Sequence, residues 1–332
     1  MSDSIRWGIL GTGGIARTFT TDLRAAGLEV AAVGSRSTES AEAFAAEFDV
    51  PRAHGSYEEL AADPDVDVVY VASPHPFHAE HALMMIAAGK HVLIEKAFTV
   101  NAAQAERIAE AAREAGVAVI EAMWTRFLPH MVRIREIIAA GTLGDVRTVL
   151  AEHDQHLPDD PAHRVNDLAL GGGALLDLGI YPVSFAIDML GLPTRILAHS
   201  TMSATGADRQ TAIIFEHEGG RQSVSHSALD AAGRVGAQVI GTDARIEIDP
   251  WWYGATGFRV VAPGGEVLEE YTDTVESRGM QYEALEMERV IRAGEHTSPL
   301  MPIEQSVAIM HVLDRIREQI GLVYPGEQGS VS

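Results

Sequence analysis

The chain has 332 residues, 25 Lys+Arg against 47 Asp+Glu for a formal net charge of −22, and no cysteine. That length divides into two domains at roughly 150 residues each, both large enough to bury a core. The acidic balance argues against nucleic acid and anionic membrane surfaces as partners, and the lack of thiols excludes disulfides, Cys-ligated zinc and iron–sulfur clusters.

Through the first 124 residues, apolar runs alternate with amphipathic, Ala-rich ones. Residues 5–10, 28–33, 66–72, 91–95 and 117–123 read as strands buried on both faces, with a weaker one at 52–54. Helical periods fill 15–26, 38–48, 57–62, 78–88 and 101–115. Such βαβ alternation predicts a doubly wound parallel sheet, here assigned to a domain of residues 1–124. The rhythm changes after Trp124. A helix at 129–140 and a strand at 146–153 precede a loop rich in Pro, Asp and His. A further helix opens after Gly171-Gly172-Gly173. Alternating runs at 211–216, 222–228 and 238–248 predict antiparallel strands with one covered face. Helices at 282–293 and 302–320 complete a second, α+β domain of residues 125–332, with residues 326–332 expected to fray. No uninterrupted apolar run reaches the roughly 18 residues that span a bilayer, and the first thirty residues lack a leader pattern, so a cytoplasmic location is expected.

Gly11-Thr12-Gly13-Gly14-Ile15-Ala16 fits G-x-G-x-x-G/A between the first strand and first helix. The first Gly permits the tight turn, the second admits a pyrophosphate, and Ala16 lets helix and strand pack closely. The second strand ends at Ser35-Arg36-Ser37, where an NAD site normally carries an acid for the ribose 2′-hydroxyl. A guanidinium flanked by hydroxyls suits a 2′-phosphate instead, so NADP is expected ahead of NAD. Glu95-Lys96-Ala97 leaves the fifth strand at the ligand end of such a sheet. Asp177 and Tyr181 are four apart and share a helix face unless Pro182 kinks it. His75, His78 and His81 mimic metal spacing without a completing carboxylate, and no metal is expected. His153 and His156 stand at a strand end, beside a substrate or on ordinary polar surface. Trp252 belongs to a substrate pocket or to subunit packing.

The residues Gly11–Ala16, Ala72-Ser73-Pro74-His75-Pro76-Phe77-His78, Glu95-Lys96 and Gly172 to Tyr181 resemble the glucose–fructose oxidoreductase, inositol dehydrogenase and rhizopine-catabolism (Gfo/Idh/MocA) superfamily across essentially the whole chain. Glu121 to Phe127, and Tyr181 where many members have His, are similar to the dimeric dihydrodiol dehydrogenase and NADP-dependent D-xylose dehydrogenase branch. The resemblance implies an N-terminal Rossmann domain, a C-terminal α+β domain with an open-faced, mostly antiparallel sheet, and a homodimer or homotetramer. It implies that Tyr181 and Lys96 form an acid/base pair oriented by Asp177, which would also bond a second substrate hydroxyl. An alcohol and a carbonyl would interconvert on a sugar, polyol or vicinal diol. It places Ala72, Ser73, Pro74, His75, His78, Glu95, Lys96 and Arg126 at the cofactor, and Trp124, Phe127, His156 and Trp252 at the substrate. Ala97 replaces the usual Pro, which leaves the pose of Lys96 to be determined. Three rivals stand beside this reading. A glycosidase working by transient oxidation would show no net cofactor turnover. A reductase of imines or deoxysugar ketones differs in substrate alone. A non-catalytic NADP sensor would turn nothing over.

Overall fold

The computed structural model describes residues 4–327; residues 1–3 and 328–332, most of the tail expected to fray, lie outside the described residues. The chain divides into two compact units. The first runs to Trp124 and takes in Glu276–Val307; the second holds Thr125–Val275 and the residues from Ala308 onward. The expected boundary at 124/125 is found, but assigning everything after it to one domain is corrected, because 276–307 return to the first unit.

In the first unit, β1 (Arg6–Leu10), α1 (Gly14–Ala25), β2 (Glu29–Gly34), α2 (Thr38–Phe48), β3 (Arg52–His54), α3 (Tyr57–Ala62), β4 (Val68–Val71), α4 (His78–Ala87), β5 (His91–Glu95), α5 (Ala102–Ala115) and β6 (Val119–Ala122) follow in order. The six strands are parallel, in the order β3-β2-β1-β4-β5-β6. Order reverses between β1 and β4, so the loops after these strands border the crevice where a doubly wound sheet takes its ligand. Residues 276–307 are tied in by polar contacts that no local pattern announces. Met280 N–H donates to Asp22 at 2.9 Å, the Trp7 indole donates to Glu288 at 3.0 Å, and Val119 N–H donates to His296 O at 3.1 Å.

The second unit contains α6 (Pro129–Ala139), β7 (Val146–Asp154), α7 (Ile180–Leu190), β8 (Arg195–Met202), β9 (Asp208–Glu216), β10 (Gln222–Ala228), β11 (Ala237–Gly241), β12 (Arg245–Ile248), β13 (Phe258–Val261) and β14 (Val267–Tyr271). The sheet order is β14-β13-β12-β11-β7-β10-β9-β8, antiparallel except where β10 runs parallel to β7. The run expected as one strand over 238–248 is two, β11 and β12, joined at Thr242-Asp243. Val149, Ala151, Ile213 and Phe215 point into the core, while Leu150, Val224, Ile214 and Leu197 on the other face are exposed. Two more helices are α8 (Gln281–Ala293), in the first unit, and α9 (Ile303–Ile320). The helical run Leu168–Leu190 is long and apolar enough to cross a membrane, contrary to the sequence expectation. From Gly171 on it is almost entirely buried inside the protein, as the core helix of a globular unit is. At the C-terminal end, Glu327 accepts from Arg317 Nη1 at 2.7 Å and from Tyr324 N–H at 3.0 Å, so it is held rather than frayed.

Candidate active site

Gly11 has φ +104° and donates its N–H to Gly34 O at 2.9 Å, which brings the turn after β1 against the end of β2. A Cβ on Gly11 would press on Ala72 O at 3.3 Å, whereas the Cβ positions of Gly13 and Gly14 open onto empty space. Gly13 caps α1 without a side chain, and Arg17 N–H is bonded to Gly13 O. The helix therefore presents its first N–H groups to an anion, over glycines that leave room for one. These features fit a dinucleotide pyrophosphate held by Gly11, Thr12, Gly13, Gly14 and Ile15, with Ala16 fully buried behind them.

Ser35, Arg36 and Ser37 directly follow the end of β2 at Gly34. Ser35 is buried and Arg36 exposed, while Ser37 Oγ accepts from Ser40 N–H and so caps α2. Tyr57 lies beside Arg36. Burial pushes its phenol up, and the guanidinium opposes that. Tyr57 was missed by sequence reading because it lies on another element.

The Glu95–Phe98 loop is bonded along its length. Lys96 N–H donates to Glu95 Oε2 at 3.1 Å, and Lys96 O meets His75 Nε2 at 3.1 Å. His78 Nδ1 faces Ala97 O at 2.9 Å, and Phe98 N–H donates to Glu121 Oε1 at 3.1 Å. The Lys96–Ala97 peptide bond is cis. Ala97 in place of Pro thus leaves a loop fixed by its neighbours, and His75 and His78 act as its struts. Burial pushes the His78 imidazole down to about 3, although Ser73 O also lies 2.7 Å from Nε2. A neutral ring donates to one of these carbonyls only. His81 Nδ1 meets Ser73 Oγ at 2.9 Å. Glu95 is buried and accepts the Tyr70 hydroxyl. Burial raises its carboxyl, and the Lys96 ammonium pulls the other way.

In the second unit, Tyr181 stands on α7 just after a π-helical turn, Leu175–Gly179, that carries Asp177. Pro182 lacks an N–H for the carbonyl four residues back, and the extra residue in the turn accommodates that deficit. The buried Tyr181 ring meets His153 edge-on with centroids 5.0 Å apart and Tyr253 at 5.1 Å, and His153 stacks on Tyr253 at 4.0 Å. Gln155 Nε2 bonds His153 Nε2 at 2.9 Å and donates to Tyr253 Oη at 3.3 Å. Asp177 is held by Arg164, Nη1 to Oδ1 at 3.1 Å and Nη2 to Oδ2 at 3.3 Å.

Three of the expected site residues have particular settings in the second unit. Arg126, expected at the cofactor, is buried. It pairs with Asp188 at 2.9 Å and donates to Ser184 Oγ and O at 3.0 and 2.8 Å, so it fastens α7. Trp252, expected at the substrate, is fully buried, with its indole N–H on Glu152 O at 2.8 Å and its rings against Phe185. Its neighbour Tyr253 is the residue that meets Tyr181. His156 is exposed and bridges Asp230, whereas His153 reaches Tyr181. Trp124 and Phe127 are both buried, Trp124 with the Arg278 guanidinium 5.1 Å from its ring centroid.

This fold and glycine turn define the class of dinucleotide-binding Rossmann proteins. The family described as oxidoreductases with an NAD-binding Rossmann fold (GFO_IDH_MocA) matches residues 5–123, and the GFO/IDH/MocA C-terminal domain matches 131–247. Trans-1,2-dihydrobenzene-1,2-diol dehydrogenase of Mus musculus is 36% identical over 334 residues, covering 98% of this chain and 99% of that protein. D-xylose 1-dehydrogenase (NADP(+)) of Hypocrea jecorina is 34% identical over 97% of this chain and 93% of its own length. A 3-ketoreductase from Actinomadura kijaniata, solved with NADP and TDP-benzene, superposes with a TM-score of 0.84 at 25% identity, over 96% of this chain and 98% of that one. The chain belongs to the Gfo/Idh/MocA family and is an enzyme that acts on CH–OH groups.

Proposed function

We propose that this enzyme is an NADP-dependent dehydrogenase of sugars, polyols or vicinal diols in which Tyr181 is the acid/base and Lys96 the cation on the reacting oxygen. The observation that carries the reading is the Lys96 loop, bonded at every residue from 95 to 98 at the carboxyl end of β5. A flexible cation would cost orientation entropy that a fixed backbone avoids. The dinucleotide, when bound, supplies the hydride donor and acceptor. Gly11 to Ile15 would hold its pyrophosphate, and Ser35, Arg36 and Ser37 its 2′-phosphate. During oxidation Tyr181 Oη takes the substrate hydroxyl proton, and during reduction it returns it. Lys96 Nζ steadies the same oxygen and favours the tyrosinate.

Relatives named for a dihydrodiol and for D-xylose support the substrate class. The test is NADPH formation across aldoses, inositols and cyclic diols, with Tyr181→Phe as control. A positioned proton-transfer group is worth about 10²–10⁴-fold, so kcat should fall within that range while NADP affinity holds. A Phe variant retaining half of wild-type kcat, with chemistry rate-limiting, would move the acid/base role to another group; His153 is then the first to examine.

We also propose a homodimer formed through the open face of the second unit's sheet. Leu150, Val224, Ile214 and Leu197 are in register across β7, β10, β9 and β8, one exposed aliphatic row over four strands. Edge pairing at β8 is blocked, because Gln319 accepts from Ala198 N–H at 3.0 Å and donates to Ile196 O at 3.1 Å. A face-to-face contact covers the row and leaves that edge as it is.

A further inference from the structure

We infer that Arg278 selects substrates that carry an anionic substituent, a carboxylate or a phosphate, several carbons from the reacting oxygen. This rests on the reading that Lys96 steadies that oxygen. Carboxylates outnumber Lys and Arg by 47 to 25 in this chain. Arginines such as Arg6, Arg126, Arg289 and Arg317 are each paired with one. Arg278 is exposed and forms no ion pair among the described residues. Its guanidinium lies instead over Trp124, 5.1 Å from the ring centroid, at cation–π distance. The backbone that carries it is fixed. Gly279 turns the chain at φ +100°, Met280 N–H donates to Asp22 Oδ2 at 2.9 Å, and Ser277 Oγ donates to Gln281 Oε1 at 2.9 Å.

Trp124 opens the 3-10 turn Trp124–Phe127 just beyond β6. Glu95 and Ala122 are partners across β5 and β6, so Lys96 and the lead into Trp124 leave neighbouring strands side by side. Such strands lie about 4.8 Å apart. Both cations therefore belong to the carboxyl end of the parallel sheet. Burial raises the Glu95 carboxyl, and Lys96 and Arg278 both oppose that, so the two charges act on the same group. Glu95 does not spend the guanidinium, because it is buried and accepts from the Tyr70 hydroxyl and from Lys96 N–H. Trp124 is only 4% exposed, so its face serves as a platform for Arg278 rather than for a sugar ring. A guanidinium stacked on an aromatic keeps its in-plane N–H donors directed outward. The paired oxygens of a carboxylate or phosphate match that fork, whereas a neutral hydroxyl leaves its charge unanswered. The favoured class is thus a uronic acid, or a sugar or polyol phosphorylated at its far end.

The experiment compares D-galacturonate and D-galactose 6-phosphate with D-galactose by NADPH formation. For the wild type, kcat/KM for one of the anions should exceed that for galactose at least about tenfold, mainly through KM. Which anion is favoured tells carboxylate from phosphate, and the preference should shrink at high ionic strength. Arg278→Gln should bring the ratio to within about twofold of unity, and Arg278→Lys, which keeps the charge but not the fork, should retain part of it. Calorimetric titration into enzyme loaded with NADPH, which cannot oxidise these compounds, should give the same order of affinities. An Arg278→Gln variant that loses equally on anions and galactose, loses NADP affinity instead, or changes in Tm alone would overturn the inference and leave the dehydrogenase reading standing. A wild type that oxidises galactose without preferring either anion would do the same. No NADPH from these compounds or from the wider sugar and diol panel would overturn that reading itself, and this inference with it.

Discussion

Arg36 stands where an NAD enzyme would carry a carboxylate, and its charge is exposed at the end of β2 between two serines, with Tyr57 alongside. NADP should exceed NAD by at least about tenfold in kcat/KM, which needs only about 1.4 kcal/mol from a charge-assisted contact. Arg36→Ala should erase most of that ratio. Steady-state kinetics with both cofactors would show it, and equal efficiencies in the wild type would refute the assignment. The strand-end positions of the glycine turn, Arg36 and Lys96 were legible because they follow from periodicity alone. His153 was legible in principle: it shares the parity of Val149 and Ala151, which places it on the covered face of β7, while His156 lies beyond the strand. The settings of Tyr253, Arg164 and Arg126 depend on contacts between distant segments, which no local pattern encodes.

The π-helical turn and the start of α7 are held by Asp208, a buried carboxyl whose Oδ2 accepts from Leu175 N–H and from Thr211 Oγ1, each at 2.8 Å. Gly173, at φ +131°, makes room for it, since a Cβ there would lie 2.1 Å from Asp208 Oδ1. The sequence showed three glycines opening a helix; it did not show that one accommodates a turn and the next a carboxyl. Burial pushes the Asp208 carboxyl up to about 6, against the two bonds that favour its ionised form. A carboxyl raised in the folded state stabilises the fold when protonated, and that contribution is lost as pH rises from about 4 through about 6. Asp208→Asn should therefore gain relative to wild type on going from pH 4.5 to 7.5, by an amount of the order of 1–3 kcal/mol. Denaturant melts of both proteins at the two pH values would measure it. A pH-independent difference would mean that the carboxyl titrates in its ordinary range.

For the molecule as a whole, the parallel sheet and the antiparallel one were both predictable from their different alternation patterns, because strands buried on two faces and on one face differ in composition. The return of residues 276–307 to the first unit was not predictable. It rests on single bonds such as Met280 to Asp22, 258 positions apart in the sequence. The aliphatic row on the open sheet carries the assembly prediction. Ile214→Glu puts a charge in the middle of that row and should convert a dimer to a monomer at micromolar concentration, read by light scattering, with the fold intact by circular dichroism. A monomeric wild type, or a variant that still dimerises, would exclude the open face as the contact.

The chain has two lysines among its 332 residues, against 23 arginines. Lys90 is buried, and its ammonium donates to Asp63 O at 2.6 Å and Val66 O at 2.8 Å. Lys96, on the loop fixed by His75 and His78, is only half-buried. Apart from the terminal amine, amine-directed chemistry on the folded protein therefore has a single reachable lysine, and it is the one assigned to the reacting oxygen. Reductive methylation with isotopic carbon would give the enzyme one lysine resonance, at the centre of its proposed chemistry, without any substitution to create it. The scarcity of lysine makes this acidic, arginine-rich protein unusually simple to observe at the atom that matters most.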